Sequence, residues 1–211
     1  MRFLRDNSLT IALLGAFALS LAGMLLSGLA HENEMRAVHG EPALTLGAYF
    51  LSAPFSSALF ENWESEFLQM SAYVVLTAML FQRGSAESRD PDQPYRPGDE
   101  VPIHRRAVSQ LGGWLYAHGL GLALALLFIL SFLLHWMSSA AAHNADALAH
   151  GQPAAPAFAY LADPSFWFES FQNWQSEFLS TAVLVVLSIF LRHRGSPESK
   201  PLAASNSDTG E

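Results

Sequence analysis

Residues 60–70 read FENWESEFLQM, and residues 171–181 read FQNWQSEFLST. One acidic, Trp-containing phrase stands twice in front of an apolar run. Adding 111 to each number carries the first half of the chain onto the second without a gap. Phe60, Asn62, Trp63, Ser65, Glu66 and Phe67-Leu68 map onto Phe171, Asn173, Trp174, Ser176, Glu177 and Phe178-Leu179. Val74-Val75-Leu76 maps onto Val185-Val186-Leu187, and Arg83-Gly84-Ser85 onto Arg194-Gly195-Ser196. Over positions 60–89 the copies agree at 16 of 30 sites. Over positions 1–59 they agree at 17 of 59, among them His39-Gly40 with His150-Gly151. A gapless register this long marks an internal duplication, and a repeat is settled before local structure is read.

Charge is scarce and unevenly placed. Only 14% of the 211 residues are charged, against about a quarter in soluble domains. No charged residue falls between Asp6 and His31, or from Ala107 to Ala145. Uncharged apolar runs of roughly 20 residues match the thickness of a bilayer core. The chain therefore reads as an integral membrane protein whose net charge of −8 resides in loops and tails. The opening segment imitates a secretory signal, with Arg2 and Arg5 before an apolar stretch. Its counterpart at Leu120 to Ala140 lies mid-chain, so the segment is read as a retained helix.

The expected fold is all-α: a four-helix transmembrane bundle from two tandem parallel helical-hairpin repeats, with short interfacial helices on the outer side. The spans fall at about 8–30, 62–82, 112–137 and 173–192. Trp114 and Trp136 bracket the third, and 22 steps at 1.5 Å cover roughly 33 Å. Ten of the eleven basic residues lie before the first span, between the second and third, or after the fourth; only Arg36 lies opposite. The positive-inside rule then puts both termini and the middle linker in the cytoplasm. The divisions are a first repeat at 1–89, a Pro- and charge-rich linker at 90–111, a second repeat at 112–200 and a disordered tail at 201–211.

Asn62 and Asn173 read as N-caps of the second helix of each repeat, with Trp63 and Trp174 as interface anchors beside Trp114 and Trp136. Glu64 and Glu66 then sit in the first turn, where the helix dipole favours negative charge. Glu64 has become Gln175, yet Glu66 and Glu177 are both kept. Glu66 lies about one turn inside the apolar region, where ionisable groups are functional candidates. Asn62, Glu66, Gln69 and Tyr73 share one helical face. Glu66 and Glu177 are thus candidates for a shared proton or cation site, alongside the capping role. His39 and His150 are weak metal candidates, since Gly and Pro beside them mark turns. The absence of cysteine excludes a disulfide scaffold, a thiolate metal site and a Cys nucleophile.

The combination HGEPA…Y, FENWESEFLQMSAYVVLT and QRGSAES, repeated as HGQPA…Y, FQNWQSEFLS and RHRGSPES, resembles a family of uncharacterised bacterial membrane proteins, a domain of unknown function. The resemblance covers nearly the whole chain apart from linker and tail. It implies a bacterial inner-membrane protein and no reaction. The sequence contains no nucleotide-binding, zincin or nucleophile-elbow motif, calls for no cofactor, and carries no basic patch for nucleic acid. A structural or accessory role comes first, with the bilayer as partner and a homo-oligomer or larger membrane complex as further partners. A small transporter or proton/cation pathway through the paired glutamates is the alternative. A membrane enzyme with an outer His/Glu metal site comes third.

Overall fold

The computed structural model describes residues 2–93, 95, 98–100 and 110–210, and among them the regular structure is helical with no strand. The helices are α1 (Arg2–Asp6), α2 (Ser8–Val38), α3 (Leu46–Phe50), α4 (Ala53–Met79), α5 (Gln110–Ala149), α6 (Ala157–Tyr160) and α7 (Pro164–Phe190). Two of them, α2 and α5, are long and apolar enough to cross a membrane. Most of the linker expected at 90–111, including Arg96, Arg105 and Arg106, lies outside the described residues.

Helices α2 and α5 run on beyond the expected span ends, because nothing breaks them. The residues after Ala30 are polar, but Glu, Met and Arg are good helix formers. Both helices stop at a His-Gly pair. Gly40 and Gly151 take φ of 71° and 73°, a left-handed conformation that glycine adopts without strain. Beyond each stop the same clasp forms. Asn33 accepts from Leu44 N (2.7 Å) and donates to Leu44 O (3.1 Å); Asn144 does both with Ala155, at 2.9 and 2.8 Å.

The starts of α4 and α7 correct the sequence reading. Asn62 and Asn173 are not N-caps. The helices begin about nine residues earlier, where Ser52 Oγ accepts from Phe55 N (3.4 Å) and Asp163 Oδ1 from Ser165 N (2.9 Å). Proline sits in the first turn of each, at Pro54 and Pro164. Its missing N–H and fixed φ suit that position. Asn62, Trp63, Glu64 and Glu66 therefore lie two to four turns inside α4, beyond the reach of dipole or cap effects at its end.

The chain divides into two compact units, one of Met1–Leu59 with Met137–Ala155, the other of Phe60–Trp136 with Pro156–Glu211. Each draws on both halves of the sequence. In the first unit Tyr49 and Phe55 are buried edge to face with centroids 5.5 Å apart, and Tyr49 closes over Gly28 of α2. Ser57 and Ser139 share a hydrogen bond there. In the second unit Tyr160 and Phe166 form the matching ring pair at 5.8 Å. Among the described residues, fully buried polar side chains outnumber apolar ones. They include Glu64, Ser85, His135, Ser170 and Lys200, whereas most leucines of α2 and α5 are exposed. That order reverses the pattern of proteins folded in water. The segment 201–210, expected to be disordered, instead folds back on the 84–88 loop, with Gly210 N donating to Ser85 O (2.9 Å).

Candidate functional site

The second unit carries a buried ionisable cluster assembled from three helices. His135 on α5 and Glu64 on α4 are both fully buried, with Nδ1 and Oε2 3.0 Å apart. The other ring nitrogen, Nε2, faces Oε2 of Glu169 on α7 at 3.6 Å, and that carboxylate is 37% exposed. The free oxygen of Glu64 accepts from Trp174 Nε1 (3.1 Å). Half-buried Glu61, one turn before Glu64, accepts from the Asn173 side-chain amide, which also bonds Glu169 O (3.2 Å). The Phe166 ring, fully buried, lies 5.1 Å from the imidazole and 5.6 Å from Phe132. His135 thus has an apolar wall on one side and carboxylates on the others.

Polar contacts continue along the α4–α7 interface. Gln69 donates to Thr181, and Thr181 Oγ1 donates back to Glu177 O (2.9 Å). One turn further, Tyr73 Oη donates to Glu87 Oε2 (2.7 Å). Burial, and Glu198 at hydrogen-bond range, push the Glu87 carboxyl above its ordinary value of 4.5, while the Tyr73 hydroxyl opposes this. Ser85 Oγ and Ser188 Oγ meet at 2.8 Å, fixing the 84–88 loop to α7. An open groove of about 330 Å³ runs beside this line, with Gln69, Tyr73, Thr77 and Glu87 as polar lining and Leu76 and Val185 among the apolar wall.

Of the residues singled out in the sequence, Gln69, Tyr73, Asn173 and Trp174 fall in this network. Glu66 is exposed and Glu177 half-buried. The Glu66 charge acts on Glu177, but neither residue lines the groove. Asn62 is exposed on α4, and Trp63 packs edge to face on Phe60 at 5.5 Å. Trp136 donates to Ala157 O (2.9 Å), and Trp114 stacks on His118 at 4.8 Å. His39 and His150 cap their own helices, Nδ1 bonding Met35 O (2.8 Å) and Asp146 O (2.9 Å). Among the described residues no group of three His, Asp or Glu side chains is arranged to hold a metal ion.

The centre of the cluster was missed by attention to what the two copies share. Its members are the positions at which they differ. Glu61, Glu64, His135 and Glu169 stand opposite Gln172, Gln175, Met24 and Ala58. An ionisable residue in one copy facing a neutral one in the other was the available signal. No curated protein and no solved structure matches the chain. A family model matches residues 1–211 throughout, and the chain belongs to that family, described as Domain of unknown function (DUF6766).

Proposed function

We propose that this chain is a four-span bacterial inner-membrane protein of two tandem parallel hairpins, and that the interface of α4 and α7 is a proton pathway. The observation that carries the pathway is His135, fully buried between Glu64 at 3.0 Å and Glu169 at 3.6 Å. A histidine placed so takes a proton at Nε2 from the partly exposed carboxyl and releases one from Nδ1 to the buried carboxylate. Gln69 lies five residues beyond Glu64 on α4, about 7.5 Å along the axis and about 140° round it, a gap that takes a chain of more than one water to cross. Tyr73, Glu87 and Glu198 then lead to the 84–88 loop. Glu66 and Glu177 flank this line as a second acidic pair. Ionisable groups buried in a membrane protein are costly, which favours a functional use.

Supporting the four spans are the lengths of α4 and α7, 27 residues or about 40 Å each, and the burial of polar groups beneath exposed leucines. The duplication is supported by matching contacts 111 residues apart, such as the Asn33 and Asn144 clasps. The ten-to-one split of basic residues supports a cytoplasmic side for the 84–88 loop and both chain ends. Trp63, Trp114 and Trp136 serve as interface anchors in this arrangement, and α3 and α6 lie at the outer interface.

A second reading is an accessory bundle acting as a homo-oligomer or beside a membrane partner. Cross-helix bonds such as Gln69 to Thr181 favour it, because they also glue helices together. Proton flux separates the two. Purified protein in liposomes with a trapped pH dye and an imposed potassium diffusion potential should acidify faster than empty liposomes. Glu64→Gln and His135→Gln should each cut that rate at least tenfold with helicity unchanged. Equal rates for wild type and both variants would leave only the accessory reading.

A further inference from the structure

Lys200 is 2% exposed, yet among the described residues its ammonium forms no ion pair with a carboxylate. Four backbone carbonyls hold it: Gly84 O at 2.5 Å, Asp208 O at 2.8 Å, Ser205 O at 3.0 Å and Asn206 O at 3.3 Å. Three belong to the segment that follows Lys200, and the fourth belongs to the loop after α4. Gly84 N donates to Thr209 Oγ1 (2.8 Å), and Arg192 donates to Ala204 O (3.1 Å). The fastening is entirely polar. Pro201, Leu202 and Ala203 are exposed and Ala204 is half-buried, so little apolar burial holds the segment down. Segments with few buried apolar contacts and exposed hydrogen bonds open at low free-energy cost. Removing the Lys200 ammonium takes away the group that joins Gly84 O to the carbonyls of the segment, while Arg192 still reaches Ala204 O and Ser205 O from one side.

The end of the segment reaches the rim of an open pocket of about 760 Å³, lined by Tyr73, Thr77, Glu87 and Glu198 from the body and by Thr209 and Gly210 from the segment. We propose that residues 201–210 form a releasable strap at the mouth of this pocket, with the Lys200 ammonium as its fastener. The strap stands on its own geometry; only its consequence for proton flow rests on the pathway reading above.

Two glycines give a controlled test. Gly84 and Gly195 have nearly the same backbone, with φ of 85° and 82°. A Cβ on Gly84 would lie 2.5 Å from Asn206 O in the strap, whereas one on Gly195 meets nothing within 4 Å. Alanine at either site brings the same backbone strain, but only Gly84→Ala displaces the strap, and Ile189 Cγ2 on α7, 3.1 Å from the new methyl, must also give way there. Hydrogen exchange of the full chain in nanodiscs should show residues 201–210 protected in wild type and in Gly195→Ala. Exchange there should rise at least tenfold in Gly84→Ala and in Lys200→Met. The chain has no cysteine, so a single Ala86→Cys, which lines this pocket and not the groove beside α4 and α7, then reads the cavity. Its labelling by a charged thiol reagent should quicken at least tenfold when the strap is released. Equal exchange in Gly84→Ala and Gly195→Ala, protection unchanged in Lys200→Met, or labelling indifferent to release would each overturn the proposal. Faster labelling without any proton flux in wild type or variant would leave the strap standing and remove the pathway.

Discussion

Glu64→Gln isolates the His135 contact, because glutamine keeps an oxygen for the Trp174 indole to donate to at 3.1 Å. Where His135 carries its proton, the two unit charges 3.0 Å apart attract by about 5.5 kcal/mol at an effective dielectric of 20. Burying both offsets much of that attraction. Removing one partner strands the other, and such losses run at about 3–5 kcal/mol. For a chain of this size the melting temperature should fall by about 6–20 °C. Met24 and Gln175 show what the other copy carries at these two positions, so His135→Met is the matching change. The double variant should be more stable than the sum of the single losses predicts, by about 2–4 kcal/mol, since it leaves no stranded charge. Tryptophan fluorescence during thermal unfolding in detergent follows all four proteins, with Trp174 reporting from the site. Losses that add to within about 0.5 kcal/mol would refute the coupling.

Four further outcomes follow from the packing and the loop charges. Phe166→Ala should cost about 3–5 kcal/mol in the same assay, because the ring is fully buried against His135, Phe132 and Tyr160. Gly28→Ala drives a methyl group into the Tyr49 hydroxyl and should cost about 1–3 kcal/mol, with Tyr49→Phe restoring part of it. Gly23→Ala on the same helix meets open space and should be neutral or slightly stabilising. Glu87 has a folded-state pKa above 4.5, so the folded chain holds a proton that the unfolded chain has released. Stability should therefore fall as pH rises through and above that value, and Glu87→Gln should flatten the slope; an unchanged slope would dissociate Glu87 from it.

The long helices were legible because uncharged apolar runs leave few alternatives to a helix, and α2 and α5 came out of that pattern alone. Their ends were less legible. A helix extends through Glu32, Asn33 and Met35 as readily as through leucine, so the span and the helix differ in length. The starts of α4 and α7 were misplaced because Asn62 and Asn173 are good capping residues in a conspicuous phrase. Ser52 and Asp163, each beside a proline, carried the same signal in a plainer setting. The cluster was hardest to see. Periodicity along one helix relates Asn62, Glu66, Gln69 and Tyr73, but it is silent on which residue of another helix lies opposite. His135 and Glu64 are separated by 71 positions, and only packing joins them. Gln69 and Tyr73 could be placed on one face because their own helix suffices to align them.

The most direct measurement is ¹⁵N NMR of the His135 ring in nanodiscs, assigned by loss of its signals in His135→Gln. If His135 passes protons between Glu169 and Glu64, both ring nitrogens should exchange protons, each shift lying between the values of a protonated and a bare nitrogen. Glu64→Gln should alter those shifts. A single fixed tautomer, with one nitrogen fully protonated, the other bare and both indifferent to Glu64→Gln, would show a histidine locked in place by packing and would contradict the account.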